Sequence, residues 1–405
     1  MPIHSDRVEF PGSQGEPLAA RLDRPAGRAR AWALFAHCFT CSKDFVASKR
    51  VSQALAERGI GVLRFDFTGL GGSGGEFANT DFTSNVADLV AAADWLRAEH
   101  VAPALLVGHS LGGAAVLAAA AQIPEAVGVA TLGAPADPEH VAKLFSTSRD
   151  EIERSGEAQV ELAGRPFRIR KQLLDDLASH SLDERVGSLK KALLVLHSPL
   201  DSQVGIENAT RIFAAARHPK SFVSLDDADH LLSRPADAAY AAKVIAAWAE
   251  RFLPPAAEAP HAGDDHEVVV RESGAGRFGQ EIAVGRHVLP ADEPTWLGGD
   301  DAGPSPYGLL LAALGACTSM TLRMYADRKG WPLERTTVRL RHEKVHAQDC
   351  AECETQDGHI DRIRKSVQVE GELDAEQRRR LLEIADRCPV HRTLQSEVHI
   401  ESEPA

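Results

Sequence analysis

The sequence of 405 residues predicts two domains: an α/β domain with a mostly parallel sheet covered on both faces, followed by an α+β domain. Three observations support this. Over residues 1–253, short apolar runs alternate with amphipathic helix-like runs, as in a parallel sheet flanked by helices. The stretch PPAAEAPHAGDD, which has no periodicity, predicts a linker over 254–265. In residues 266–405, strand-like runs flank one long helical run.

The first domain contains six strand-like runs, with helical stretches such as SKRVSQALAERG between them. Residues 135–189 are more polar and predict a short helical insertion. The six runs are WALFAH (32–37), VLRFDF (62–67), ALLVGHS (104–110), VGVATLG (127–133), ALLVLHS (192–198) and SFVSL (221–225).

In the second domain, EVVVRES and QEIAVGRHVL predict strands, and a long helix follows. Proline suits the first turn of a helix, so this helix is expected to begin at Pro304-Ser305-Pro306 and to end at Lys329-Gly330. TTVRLRHEKVH and IRKSVQVEGEL predict two further strands. Asp374 and Gln377 then form a capping pair for the helix AEQRRRLLEIADR.

The composition excludes several classes of protein. The formal net charge is −13, and no basic run with interleaved aromatics is present, so no nucleic-acid partner is expected. The N-terminus lacks the pattern of a secretory signal, and the apolar segment YGLLLAALGACTSMTL is shorter than a membrane span. Six cysteines in so long a chain suggest reduced thiols. We therefore expect a cytoplasmic protein with no membrane partner.

A serine motif lies at a strand-to-helix junction. The strand ALLV leads into Gly108-His109-Ser110-Leu111-Gly112 and then into the helix AAVLAAAAQ. In this context G-x-S-x-G predicts a sharp turn that exposes the hydroxyl of Ser110 next to a helix N-terminus. The sequence therefore predicts a nucleophilic serine.

Such a serine needs a base and an acid, which in this fold follow it in the order acid, then histidine. Asp201 follows the strand ALLVLHSPL, and His230 follows SFVSLDDAD, so both occupy the required places. The alternatives are His197, which lies inside a strand, and three acidic residues near His230, namely Asp226, Asp227 and Asp229.

The loop HCFTCSKD (37–44) follows an early strand, where a serine hydrolase supplies a backbone N–H to the oxyanion hole. The loop resembles the His-Gly-Phe-Thr-Gly loop of α/β-hydrolase esterases, with cysteines in place of the glycines. By that resemblance the N–H groups of Phe39 and Leu111 form the hole, and no cofactor is implied. Cys38 and Cys41 are interpreted as small space-filling residues, with a redox pair or half of a zinc site as alternatives.

Two further cysteines lie in the second domain. Cys317 falls in a helical stripe with apolar neighbours, where a cysteine is usually a small core residue. Cys388 precedes Pro389 and is expected at a helix N-terminus, near His391 and Arg392, a setting that favours the thiolate. The predicted buried stripe comprises Leu310, Leu314, Cys317, Thr321 and Met324.

The segments GPSPYGLLLAALGACTSMTLRMYADRKGW and IADRCPVHRTL resemble the OsmC and organic-hydroperoxide-resistance family over about residues 266–402. The resemblance implies that Cys317 attacks a hydroperoxide, that Cys388 resolves it to a disulfide, and that a dithiol reductant restores both thiols. It also implies an activating arginine, Arg277 or Arg286, and an intertwined homodimer. The two halves together resemble bifunctional α/β-hydrolase/OsmC proteins, with a small-molecule ester as substrate of the first half.

This chain departs from the peroxidase members at one place. Those members carry a glutamate at the start of the cysteine helix, where this chain has Tyr307 and Gly308. The alternative is therefore that only the hydrolase is active, and that the OsmC-like domain dimerises the protein or binds a ligand. A zinc site at His346, Cys350, Cys353 and His359 is a weaker alternative, and no metal is expected.

Overall fold

The computed structural model describes residues 3–25, 29–162, 164–253, 267–274, 276–285, 287–346 and 358–404. Contacts divide the chain into two compact units, Met1–Gly276 with Glu281–Val288 and Arg277–Gln280 with Leu289–Ala405. The predicted linker lies outside the described residues, and the predicted domain boundaries stay a prediction.

The first unit is built on an eight-stranded sheet. Its strands are β1 (Ile3–Pro11), β2 (Pro17–Pro25), β3 (Ala31–Ala36), β4 (Ile60–Phe65), β5 (Leu105–His109), β6 (Gly128–Leu132), β9 (Ala192–His197) and β10 (Lys220–Ser224), and the hairpin β7 (Glu157–Leu162) and β8 (Arg165–Arg170) stands apart from it. The strand order is β1-β2-β4-β3-β5-β6-β9-β10. The six strands from β4 to β10 in this order are parallel, and β1 and β2 join antiparallel at one edge.

Two hydrophobic cores cover the two faces of this sheet. The helices of the unit are α1 (Val46–Ala56), α2 (Phe82–Glu99), α3 (Leu111–Ala119), α4 (Arg149–Ser155), α5 (Lys171–Ser179), α6 (Asp183–Gly187), α7 (Ile206–Ala215) and α8 (Pro235–Ala249). Helices α1 and α8 pack on one face, and α2, α3 and α7 pack on the other. The six sequence-predicted strands and the doubly covered parallel sheet are confirmed.

The insertion over 135–189 was predicted to be helical, but only part of it is. It contains the antiparallel hairpin β7–β8 between α4 and α5. Residues of β7 alternate between exposed and buried positions, the period-2 pattern of a half-buried strand. The polar composition of the segment hides this short alternation.

The remaining elements are the strands β11 (Val268–Glu272), β12 (Gln280–Val284), β13 (His287–Ala291), β14 (Leu333–His346) and β15 (His359–Gly371), and the helices α9 (Pro306–Lys329), α10 (Ala375–Ala385) and α11 (Pro389–Leu394). Strands β11, β12 and β13 form one sheet, and β14 pairs antiparallel with β15. Helix α9 packs on β14, α10 and α11. This agrees with the predicted α+β class.

The buried stripe of α9 differs from the predicted one. Met324 is 72% exposed, and Cys317 is only half-buried. The buried residues are Leu314, Thr318, Leu322 and Ala326, which follow one another in steps of four. Among the described residues, α9 is also the one helix long and apolar enough to cross a membrane by length and composition alone.

Candidate active site

Ser110 occupies the turn between β5 and α3. Its backbone has φ 54° and ψ −125°, a strained conformation that non-glycine residues rarely adopt. A Cβ at Gly108 would lie 2.3 Å from the carbonyl oxygen of Gly112, and a Cβ at Gly112 would lie 2.4 Å from the carbonyl oxygens of Ala36 and His37. The turn therefore requires glycine at both positions of the motif.

The hydroxyl of Ser110 is linked to two other sequence-predicted residues. His230 Nε2 lies 3.0 Å from Ser110 Oγ, and His230 Nδ1 lies 2.7 Å from Asp201 Oδ2. All three side chains are buried. An Nδ1–H that donates to the carboxylate leaves Nε2 as the acceptor for the serine proton. The geometry is that of a site for acyl transfer.

The Asp201 carboxylate is held in its ionised form. Burial opposes ionisation. The hydrogen bonds that the carboxylate accepts from His230 and from the backbone N–H groups of Val204 and Gln203, each of the latter 2.9 Å from Oδ1, together outweigh the effect of burial. The pKa of Asp201 consequently lies below its usual value. The carboxylate can therefore orient the imidazole at neutral pH.

The alternative histidine does not bond the serine. His197 is buried in β9, where its Nε2 donates to the carbonyl of Val204 at 2.7 Å. It lies 3.7 Å from Asp201 Oδ2, and burial lowers its pKa. Its place in the strand makes it part of the packing around Asp201.

The alternative carboxylates have other partners. Asp227 pairs with Arg234 at 2.8 Å, and Asp229 accepts the backbone N–H of Ser233 at 2.7 Å. Asp226 sits at a turn with φ 47°. Among the described residues, none of these three carboxylates bonds the ring of His230.

Sequence reasoning missed a role for His109, the variable residue of the serine motif. Its Nε2 donates to the backbone carbonyl of His230 at 2.7 Å. Burial, reinforced by the nearby His230, lowers the pKa of His109 to about 3. The neutral ring thus joins the turn that carries Ser110 to the loop that carries His230, and no local sequence pattern indicates this contact.

The two predicted backbone donors belong to Phe39 and Leu111. Leu111 is the first residue of α3, so its N–H has no partner inside the helix. The N–H of Phe39 has no acceptor within the described part of the chain. The close approach of Gly112 to the carbonyls of Ala36 and His37 holds the start of α3 against the end of β3, immediately before Phe39.

Cys38 and Cys41 form a disulfide across this loop. The expectation of reduced, space-filling cysteines is therefore wrong for this pair. The backbone N–H of Cys41 donates to the carbonyl of Cys38 at 3.1 Å, a tight turn that brings the two sulfur atoms together. The sequence showed the spacing, but the pairing depends on this turn.

A cavity of about 530 Å³ opens in front of Ser110 and His230. The loop over residues 37–44, named the oxyanion loop after its predicted role, forms one wall, and the insertion over 135–189 forms much of the other. The apolar residues of the lining include Phe39, Phe45, Pro135, Val141, Leu144, Leu162, Val204 and Leu231, and its basic residues besides His230 are His140, Lys143 and Arg165.

In the second unit, the two sequence-predicted thiols are both free. Cys388 is buried at the start of α11, where its sulfur accepts the backbone N–H of His391 at 3.4 Å. The hydroxyl of Thr318 lies 3.4 Å from the same sulfur. Since Thr318 follows half-buried Cys317 on α9, the structure brings Cys388 against the helix turn that carries Cys317.

Of the two candidate activating arginines, the structure describes only Arg277, and it does not bond the thiol. The guanidinium of Arg277 lies 4.9 Å from the ring centroid of Phe278, and no hydrogen bond between described residues joins it to Cys317. Arg286 lies outside the described residues. Tyr307, in the place of the family glutamate, stacks on the ring of His342 with 4.2 Å between centroids.

The weaker zinc alternative cannot be placed. Cys350 and Cys353 lie outside the described residues. The rings of His346 and His359 pack edge to face across β14 and β15, with 5.4 Å between centroids. No group of three or more metal-ligating side chains occurs in the ranges that the structure describes.

The mostly parallel sheet, with a serine on the strand-to-helix turn, defines an α/β hydrolase. Residues 28–147 match the family model "Serine aminopeptidase, S33", and residues 298–403 match the model "OsmC-like protein". The chain therefore combines an α/β-hydrolase unit with an OsmC-like domain.

Known relatives agree with the first half of this assignment. The esterase domain of a protein from Rhodothermus marinus is 51% identical, and the match covers 63% of this chain and 100% of that domain with a TM-score of 0.52. The α/β hydrolase GrgF from a Penicillium species is 20% identical over 62% of this chain and 99% of its own, with a TM-score of 0.52, and shows the fold alone. The uncharacterized protein YfhR of Salmonella typhimurium is 30% identical over 181 residues, 44% of this chain, and the chain spans 57% of that protein's length.

Proposed function

We propose that the first unit is a serine hydrolase that cleaves small carboxylic esters. Ser110 Oγ attacks the ester carbonyl while His230 Nε2 takes the hydroxyl proton, and Asp201 orients and stabilises the imidazolium. The N–H groups of Phe39 and Leu111 stabilise the oxyanion. The proton passes to the leaving alcohol, and water then hydrolyses the acyl-enzyme by the same steps.

The observation that carries this proposal is the chain of hydrogen bonds from Ser110 Oγ through His230 to Asp201, 3.0 and 2.7 Å long. The relative from Rhodothermus marinus, whose name describes an esterase domain, supports an ester as the substrate.

Hydrolysis of 4-nitrophenyl acetate and butyrate by Ser110→Ala tests the assignment. Removal of the nucleophile should lower kcat by at least about a thousandfold. Ser202→Ala, at an exposed serine next to Asp201, is the matched control and should keep the wild-type rate. Wild-type turnover in Ser110→Ala would remove the assignment.

We propose for the second unit a thiol peroxidase activity, which the position of Cys388 against the Cys317 turn of α9 favours. The Cys317 thiolate attacks the peroxide oxygen, an alcohol leaves, and the thiolate becomes a sulfenic acid. The Cys388 thiol then displaces water to form a disulfide, which a dithiol reduces. The alternative is a unit that only dimerises the protein or binds a ligand, which the lack of a carboxylate at Tyr307 favours.

Treatment of the protein with cumene hydroperoxide distinguishes a peroxidase from a unit that only dimerises or binds a ligand. A peroxidase should acquire a Cys317–Cys388 disulfide, visible by peptide mass mapping, and Cys317→Ser should consume no peroxide. Two free thiols after treatment would leave dimerisation or ligand binding as the role of this unit. A cytoplasmic homodimer is part of the same proposal.

A further inference from the structure

We propose that the hydrolase selects esters that carry a carboxylate away from the scissile bond, and that Lys143 and Arg165 bind this carboxylate. The inference rests on the proposed esterase function of Ser110. It begins from the charges that line the cavity in front of Ser110. The cavity is mainly apolar, yet it has two permanent cations at its rim and no aspartate or glutamate in its lining.

This distribution is unusual for the chain as a whole. The protein has 58 acidic residues against 45 lysines and arginines, so its net charge is negative. The 18 residues that line the cavity, in contrast, include one lysine, one arginine and no acidic residue, so the cavity lining is positively charged. Cations at the mouth of a low-dielectric cleft concentrate anionic ligands there.

The two cations also differ from most others of the same insertion in lacking a carboxylate partner. Four of the six others form ion pairs, Arg149 with Glu153, Arg168 and Arg170 with Glu157, and Lys171 with Asp175, while Arg154 and Arg185 donate to backbone carbonyls and do not line the cavity. Among the described residues, no carboxylate lies within 4 Å of the charged atoms of Lys143 or Arg165. Both charges are therefore available to a ligand.

Neighbouring groups hold both cations in place. His140 Nε2 donates to the carbonyl of Gln203 at 2.8 Å, which leaves Nδ1 to accept from the Lys143 ammonium at 3.3 Å. The Arg165 guanidinium donates to the carbonyl of Thr40 in the oxyanion loop. Neither contact neutralises a charge, so both orient a cation at the rim of the cavity.

Lys143 also borders a second cavity, of about 460 Å³, whose lining includes Glu139 and Glu207. It forms no ion pair there within the described ranges. Of these two cavities, Arg165 lines the one in front of Ser110, so the carboxylate of the substrate is expected near both cations on that side.

Two matched esters test the proposal on the acyl side. Mono-4-nitrophenyl adipate and 4-nitrophenyl hexanoate have the same chain length and leaving group and differ only in a terminal carboxylate. We expect kcat/KM for the adipate ester, relative to the hexanoate, to fall about three- to tenfold in Lys143→Met. Arg165→Met should lower the same ratio, and Arg165→Lys should restore most of it. High salt should lower the ratio in the wild type, because it screens charges at a solvated rim.

The alcohol side is tested with 4-acetoxyphenylacetate against its methyl ester, in the same variants. If Lys143→Met and Arg165→Met lose the preference for the charged ester in one of the two ester pairs, that pair identifies which side of the ester carries the carboxylate. Arg168→Met is the control, since it removes one positive charge from the same hairpin at a residue paired with Glu157. It should leave both ratios unchanged.

An unchanged ratio for both ester pairs in Lys143→Met and Arg165→Met would overturn the proposal. That result leaves the esterase assignment intact if Ser110→Ala is still inactive toward the hexanoate. Hexanoate turnover by Ser110→Ala would instead remove the esterase assignment itself. The two failures are therefore distinguishable.

Discussion

At the scale of single residues, the turn at Ser110 stores backbone strain that its neighbours must compensate. Ser110 has a positive φ, and the start of α3 lies against the carbonyls at the end of β3. His109 adds a buried hydrogen bond to the backbone of His230. Serine, histidine and oxyanion loop are thus tied together through backbone contacts as well as through their side chains.

His109 should make stability depend on pH. Its pKa is about 3 in the folded protein against an ordinary 6.5, so between these values the unfolded chain binds a proton that the folded one refuses. The contribution of His109 to the free energy of unfolding is fully present above pH 6.5 and is lost as the pH falls toward 3. His109→Gln, which keeps an N–H donor, should flatten the slope by up to about 1.4 kcal/mol per pH unit.

The measurement is the urea midpoint of the first unit at pH 4.5 to 7.5, read by pulse proteolysis. A residual slope is expected from His197, whose pKa burial also lowers. His399→Gln, at a histidine whose side chain is 82% exposed, is the control and should keep the wild-type slope. An identical slope in His109→Gln would contradict this account of the buried ring.

Gly112→Ala should damage both stability and activity. The added Cβ would lie 2.4 Å from two backbone carbonyls, so α3 must move away from β3 at a cost of about 1–3 kcal/mol. Displacement of the N–H of Leu111 should lower kcat at least about tenfold. Urea unfolding and 4-nitrophenyl butyrate kinetics measure the two effects. Gly187→Ala, where the nearest contact would be an ordinary 3.6 Å, should change neither.

At the scale of elements, the loop after β3 depends on restraints from outside the sheet. The disulfide between Cys38 and Cys41 closes the loop around Phe39, and Thr40 has φ 61°. Arg165, from the hairpin β7–β8, binds the carbonyl of Thr40. The insertion therefore both covers the cavity and supports the loop that carries one proposed oxyanion donor.

Opening the disulfide should reduce esterase activity. The loop would gain conformational freedom, so the N–H of Phe39 would point at the oxyanion for less of the time. We expect the double variant Cys38→Ser/Cys41→Ser to show a several-fold lower kcat toward 4-nitrophenyl butyrate. Dithiothreitol should lower wild-type activity to the same level and leave the double variant unchanged. Full activity in the reduced wild type would show that the loop holds its shape without the bond.

At the scale of the whole molecule, α9 exposes an apolar surface in the single chain. Met320 and Met324 are 66% and 72% exposed, although the helix is apolar enough to be buried. Exposed apolar surface of this kind marks an interaction site. The proposed homodimer would cover it.

The variant Met320→Glu/Met324→Glu tests this surface. Two buried, unpaired carboxylates should disfavour a dimer strongly. Light scattering coupled to size-exclusion chromatography should show a dimer for the wild type and a monomer for the variant. Esterase activity should persist, because both residues lie outside the first unit. Val101→Glu, at an exposed valine of the first unit, should remain dimeric; a monomeric wild type would exclude the dimer.

Much of the fold could be predicted because parallel strands buried on both faces leave continuous apolar runs. The two antiparallel strands β1 and β2 were missed, because β1 has few buried residues and the buried residues of β2 are interrupted by charged ones, so neither strand leaves a continuous apolar run. The hairpin β7–β8 was missed for the same reason. On α9, Leu314 belongs to both the predicted and the observed stripe, and only packing against neighbouring elements selects the one that is buried.

The sequence by itself determined the class of each unit, the position of the serine turn and the order of its expected partners, because these follow from local periodicity and from glycine chemistry. Only the tertiary structure decided which histidine reaches Ser110, that His109 binds the backbone of His230, and that Lys143 and Arg165 line one cavity. These contacts join residues far apart in the chain, and their distances depend on how strands and helices pack. Local sequence patterns contain no information about that packing.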